Sequence, residues 1–148
     1  MRKIIMLCTG NICRSPMAEG LLRDMAKDRP DLVIDSAGCE SFHTGEPPDE
    51  RAIETMLQHG IDISDLRARP LVFADLEPAE NLIMAATKSH LVYAENMRLR
   101  CAGRAKIIKI LGKEDLPDPY YGGKDGFERT YQALEKALKQ WLSDNPKP

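Results

Sequence analysis

Cys8-Thr9-Gly10-Asn11-Ile12-Cys13-Arg14-Ser15-Pro16 is the stretch around which the rest of the chain is organised. It follows the apolar run Ile4-Ile5-Met6-Leu7, short enough for a buried strand, and precedes Met17-Ala18-Glu19-Gly20-Leu21-Leu22, which reads as a helix. The stretch is therefore a strand-to-helix turn. Ser15 suits an N-cap because its hydroxyl can accept from an orphan helix amide, and Pro16 suits the first helical position, where a missing N–H costs nothing. The helix is thus predicted to begin at Pro16. Its first amides and positive dipole end face the loop, a natural anion site, and Gly10 lets the backbone turn N–H groups inward. Cys8 places a sulfur nucleophile in that positive field, and Arg14 offers a planar fork that can hold two phosphate oxygens. Nucleophile and oxyanion clamp share one short loop, with Thr9 to Ser15 as the phosphate cradle.

A cysteine ending a buried strand is, alone, usually a packed core residue. A Cys and an Arg separated by five residues are equally uninformative alone. Specificity comes from the strand–turn–helix context, Gly10 and Ser15-Pro16 occurring together. Other phosphate loops are excluded by inspection: no Lys-Ser/Thr follows a glycine, and Gly-x-Gly-x-x-Gly is absent.

Working outward, Met17, Leu21, Leu22 and Met25 recur at helical spacing to about Lys27, with Pro30 beyond. Leu32-Val33-Ile34 reads as a second strand, closed by Asp35-Ser36-Ala37-Gly38, and strand, crossover helix and strand imply a right-handed parallel unit. Residues 39–48 form a polar loop, then Ala52, Ile53, Met56 and Leu57 mark a helix stopped by Gly60. Residues 61–80 read as a connector with room for one helical turn. A third strand over 81–86, a helix over 91–100 and a fourth strand over 106–110 follow. Gly112 to Lys124 is a Pro- and Gly-rich loop before the clearest helix, whose face is Phe127, Tyr131, Leu134, Leu138, Trp141 and Leu142. Tyr131 and Trp141 are core residues. Strands alternating with helices argue a doubly wound, Rossmann-like α/β domain of four parallel strands, helices on both faces, spanning 1–148 as a single domain.

Bulk properties narrow the partners. Lys plus Arg total 21 against 23 Asp plus Glu, a net charge of -2, so neither a nucleic-acid backbone nor an acidic membrane is indicated. The apolar runs are too short for a membrane span or a secretory signal, which points to the cytoplasm. The four cysteines, 8, 13, 39 and 101, have no C-x-x-C spacing and no companion histidines, so neither metal nor cofactor is expected and the thiols should be free. His43, His59 and His90 are scattered and read as surface or satisfied side chains.

Cys8-x5-Arg14-Ser15-Pro16 near the N-terminus and Asp118-Pro119-Tyr120-Tyr121 near the C-terminus together resemble the low-molecular-weight protein tyrosine phosphatase family. Asp35-Ser36-Ala37-Gly38, Gly45-Glu46-Pro47-Pro48-Asp49, Gly60-Ile61-Asp62-Ile63-Ser64 and Arg67-Ala68-Arg69 agree, so the resemblance spans nearly the whole chain. It implies strand order 2-1-3-4. In open parallel sheets ligands bind beyond the strands' C-terminal ends near the switch in strand order, and that edge gathers loop 8–15, Ser36 and residues 111–124. Asp118 can therefore reach Cys8. Alone it reads as a turn residue before Pro119; the resemblance implies a general acid that protonates the leaving oxygen, then activates water on a phosphocysteine. Asp115 is the alternative, but it does not precede the proline.

Ser15 can donate to the Cys8 sulfur, Asn11 tolerates a left-handed backbone and can brace the loop, and Ser36 matches a family serine behind it. The resemblance supports a reversible Cys8–Cys13 disulfide, against a plainly packed Cys13. The chain departs from the family at Leu66, where many members carry His, and at Ala85-Ala86, where many carry Met-Asp. Members acting on phosphoarginine carry Thr after the loop's Asn; here stands Ile12. With Phe42, Tyr120 and Tyr121 it could line a slot for a flat ring. The expected substrate is a phosphotyrosine protein or small aryl phosphate, with inorganic phosphate as product and a monomer or weak dimer as the acting form. A protein arginine phosphatase is the alternative. An arsenate reductase would need a thiol relay that Cys39 and Cys101 poorly supply, Arg14 and Asp118 would hydrolyse a phosphocarrier's phosphocysteine, and a phosphopeptide-binding module needs neither Cys8 nor Asp118.

Overall fold

A computed structural model describes residues 1–148, the side chain of Lys124 excepted. Elements run β1 (Arg2–Cys8), α1 (Arg14–Met25), β2 (Leu32–Gly38), α2 (Glu50–Gln58), α3 (Phe73–Leu76), β3 (Leu82–Ala85), α4 (Lys88–Arg100), β4 (Lys106–Lys109), a 3-10 turn (Pro119–Tyr121) and α5 (Gly123–Asp144). The sheet is β2-β1-β3-β4, every neighbour parallel, in the order 2-1-3-4. β1 is central because it can be buried on both sides. Ile4 and Met6 join one core with α1, α2 and α5, whereas Ile5 and Leu7 join a second with α3 and α4, the period-2 alternation of a strand between two helical layers. Among the described residues no helix is long and apolar enough to cross a membrane.

Several boundaries differ from the sequence expectations. β2 continues through Asp35-Ser36-Ala37-Gly38, pairing Met6 with Ser36 and Cys8 with Gly38, so Ser36 lies within the strand. α4 starts at Lys88, because Thr87 caps it by accepting from the His90 N–H. α5 starts at Gly123, inside the expected loop. Along α5, Phe127, Tyr131, Leu134 and Leu138 are buried; Trp141 is only partly so, with the Arg2 guanidinium 5.6 Å from its ring centre.

The 61–80 connector holds the short α3 and lies against the end of β2. Leu71 N donates to Gly38 O and Gly38 N to Arg69 O. This crowding explains the glycine: a Cβ there would meet Thr9 O at 2.8 Å and Asn11 N at 3.1 Å. Gly38→Ala should therefore force the loop after β1 outward and cost about 1–3 kcal/mol in urea unfolding. An unchanged midpoint would show that this approach does not constrain the loop.

Candidate active site

β1 ends at Cys8 and α1 begins at Arg14, two residues before the predicted start. Cys13 occupies the cap position with no side-chain cap bond. The Ser15 hydroxyl is taken elsewhere, 3.0 Å from Cys8 Sγ, while the Ser15 N–H points at the same sulfur from 3.4 Å. A first-turn amide that a side chain could have capped thus faces the sulfur. The left-handed residue of the loop is Asn11, with φ 59°, rather than Gly10. At Gly10 a Cβ would stand 2.8 Å from the His43 ring, so the His43 side chain would have to shift to admit one.

The bonds beneath the loop have fixed directions. The Glu19 carboxylate also receives Arg23 at 2.6 Å, so it accepts from the Ser36 hydroxyl at 2.5 Å. Burial pushes the Glu19 carboxyl up; Ser36 and Arg23 oppose that shift. Ser36, its proton committed, accepts from Asn11 Nδ2 at 2.9 Å. Asn11 Nδ2 also donates to Ser15 Oγ at 2.7 Å, and Asn11 Oδ1 accepts from Arg69 N at 3.0 Å. The Ser15 proton is then left for Cys8 Sγ. Arg69 in turn is bound by Asp75 and Asp35. The loop's support thus comes from the connector backbone at Arg69. Leu66 packs on the core, and the buried Ala86 gives its carbonyl to Leu116 N.

Above this floor lies a cleft of about 360 Å³, lined by Cys8, Thr9, Gly10, Ile12, Cys13 and Arg14 below, and by Phe42, His43, Asp118, Tyr120 and Tyr121 at the walls. Arg14 is 5 % exposed and is aimed by Leu116 O, which accepts from its Nη1 at 3.0 Å. Its Nη2 lies 3.6 Å from Asp118 Oδ2 and 3.4 Å from Thr9 Oγ1. The sheet edge thus brings residues 8, 14 and 118 to one cavity. Asp115 is directed away, held by Lys109 Nζ at 3.0 Å and the Lys88 N–H at 2.9 Å. Burial raises the Cys13 thiol far above its ordinary value, with Asp49 adding to the effect, and pushes Cys39 up to about 12. All four cysteines are free thiols.

The sequence model of the family described as low molecular weight phosphotyrosine protein phosphatase matches residues 3–147. The chain belongs to that family. A low molecular weight phosphotyrosine protein phosphatase of Drosophila melanogaster is 35% identical, covering 94% of this chain and 89% of its own. The low molecular weight protein-tyrosine-phosphatase Etp of Escherichia coli is 32% identical over 93% and 90%. Among solved structures, a Drosophila arginine phosphatase superposes with TM-score 0.91 at 28% identity, over 99% of both chains.

In this low molecular weight phosphatase several site residues escaped sequence reasoning. Glu19 has no role that the sequence reveals and is buried. His43 lines the cleft, pairing with Glu46 at 3.0 Å, and His90 lies against Thr9 at 2.8 Å; only His59, bound to Glu128 and stacked on Tyr131, stands apart. Arg51 straps two segments together. It is bidentate on Asp49 at 3.0 Å, donates to Tyr120 O at 3.1 Å, and places its guanidinium 4.9 Å from the Tyr120 ring centre. Asp49 N in turn donates to Ile12 O, so the strap joins the loop to the segment carrying Asp118. The quoted Gly45–Asp49 motif was the available signal. Arg51→Met should speed hydrogen exchange at the Tyr120 and Gly122 amides roughly tenfold by removing that bond. Unchanged exchange would mean that the segment holds itself.

Proposed function

We propose that the protein hydrolyses phosphotyrosine and related aryl phosphate monoesters through a phosphocysteine intermediate. The observation that carries this is the convergence of Cys8, Arg14 and Asp118 on one cleft, with Asp118 3.6 Å from the arginine. The loop amides and Arg14 hold the phosphoryl oxygens. Cys8 Sγ attacks phosphorus, the S–P bond forms and the P–O bond to the leaving group breaks, while Asp118 gives its proton to the departing oxygen. Water then attacks phosphorus, its proton passes to the Asp118 carboxylate, and the S–P bond breaks to release inorganic phosphate. Ser15, 3.0 Å from the sulfur, donates to the departing thiolate.

Ile12, Phe42, Tyr120 and Tyr121 form the pocket that receives the ring, Phe42 and Tyr121 being 68% and 84% exposed and free to cover it. Likeness to an arginine phosphatase favours phosphoarginine as the second reading. Against it, Ile12 offers a guanidinium no hydrogen bond. Cys39 and Cys101 make no arsenate relay: Cys101 sits at the far end of α4, donating to Arg98 O. The protein acts in the cytoplasm, where reducing conditions keep Cys8 free. Residues 1–148 work as a single domain, a monomer or weak dimer, without metal or cofactor.

Turnover of p-nitrophenyl phosphate tests the activity. Cys8→Ser should abolish it while phosphate binding persists, since an alcohol is poorly ionised but Arg14 remains; turnover within about tenfold of the parent would remove Cys8 from the mechanism. Asp118→Ala should slow phenyl phosphate about 10²-fold or more and hurt acidic leaving groups less. Equal losses across a leaving-group series would exclude Asp118 as the acid.

Peptides carrying phosphotyrosine, phosphoserine or phosphoarginine decide the substrate. Phosphotyrosine should give the highest kcat/KM, and Ile12→Thr should narrow the gap to phosphoarginine about tenfold, the worth of one partner for a buried polar group. Phosphoarginine winning on the parent protein would overturn the aryl assignment.

A further inference from the structure

His90 is a buried imidazole that the mechanism above leaves unused, and its hydrogen bonds fix its proton. Nδ1 lies 3.2 Å from the Thr87 backbone N–H, a group that can only donate. Nδ1 is therefore the acceptor, the Thr87 hydroxyl standing 2.9 Å from it as well. The neutral ring must then carry its hydrogen on Nε2. Burial, with the Arg14 charge nearby, lowers the imidazole pKa to about 4, so the ring is neutral at physiological pH. Nε2–H points at Thr9 Oγ1, 2.8 Å away. Arg14 Nη2 also donates to that oxygen, at 3.4 Å. With both lone pairs of Thr9 Oγ1 receiving hydrogens, its own O–H must donate outward. Thr9 is exposed and lines the cleft beside Arg14 and Asp118, so outward means into the cleft where the proposed mechanism holds the phosphoryl group.

We propose that the Thr9 hydroxyl is a further phosphoryl-oxygen donor and that His90 is the positioning residue that holds its proton toward the substrate. This rests on the phosphatase reading and deepens it. A hydroxyl free to rotate would spend part of its time with a lone pair facing the anion. One locked by two donors presents only its hydrogen, without reorganisation when charge develops on the phosphoryl oxygens. The lock is anchored at the start of α4, because the His90 N–H also donates to Thr87 Oγ1 at 3.3 Å and fixes where the ring stands.

The test compares Thr9→Val, Thr9→Ser, His90→Leu, His90→Gln and the double variant Thr9→Val/His90→Leu, with kcat/KM on p-nitrophenyl phosphate and the dissociation constant of inorganic phosphate as readouts. Thr9→Val should weaken both roughly tenfold, the effect of a hydrogen bond to a charged group, and Thr9→Ser should stay within about twofold. His90→Leu should match Thr9→Val and add less than about twofold in its presence. His90→Gln, whose amide N–H can reach the position of Nε2, should recover most of the loss. An unchanged Thr9→Val sinks the donor, and fully multiplying losses, or no recovery by Gln, sink the positioning by His90. Should His90→Leu not fold, the Thr9 pair and His90→Gln still decide. A parent protein that binds phosphate but turns nothing over would overturn the phosphatase reading alone, since the phosphate constants judge Thr9 independently.

Discussion

The site depends on the amide of Asn11. A loop of five residues between a strand and a helix can point its N–H groups at an anion only if something else satisfies its turn, and here one buried side chain does so. The Asn11 amide nitrogen serves Ser15 and Ser36, and its oxygen takes the Arg69 N–H. It does this from a left-handed backbone that Asn tolerates better than most residues. Because Glu19 accepts from Ser36, hydrogen direction propagates from a carboxylate to a sulfur: Ser36 gives to Glu19, Asn11 to both serines, and Ser15 to Cys8. Remove any member and a buried polar group loses its partner, which costs more than the bond contributes in place.

The fold was legible because β1 carries its own evidence. Four apolar residues buried on both faces, a turn, then an amphipathic helix specify a parallel crossover, and the sheet-edge rule brings Asp118 within reach of Cys8 from over a hundred residues away. The element limits were less legible. Ser15-Pro16 looks like a helix start in isolation, but the tertiary demand of the Cys8 sulfur on Ser15 outweighs the local cap preference, and the helix starts at Arg14. Asp35-Ser36-Ala37-Gly38 looks like a strand end, yet Gly38 is needed inside β2 because the loop passes within contact distance of it.

The supporting residues were illegible for a common reason. Glu19 and Arg51 are charged positions on helices, which helical periodicity assigns to solvent, and His90 falls just outside the expected 91–100 helix. Each instead reaches a partner remote in sequence: Ser36, Tyr120 and Thr9 respectively. Single-residue reasoning sees the type and spacing of a side chain but not the element opposite it. Asn11 was legible from turn chemistry and Ser36 from the family motif, while Ser15, expected both beside the Cys8 sulfur and as the α1 cap, takes only the first place.

The cleft therefore has two halves with different physics. Beneath its floor Cys8, Asn11, Arg14 and Ser15 are buried and joined by hydrogen bonds, while Thr9 reaches the surface. Its walls are Tyr120 and Tyr121 on a short 3-10 turn that Arg51 tethers, and Phe42 and His43 from the loop after β2, with Phe42 and Tyr121 largely open to solvent. Floor geometry rests on the loop backbone together with the Asn11 and Arg14 side chains that brace it. Choice among leaving groups falls to side chains that superposition does not weigh. Among them Ile12 alone sits on the rigid floor, so a change of hydrogen-bonding capacity there cannot be relaxed away by movement of the wall.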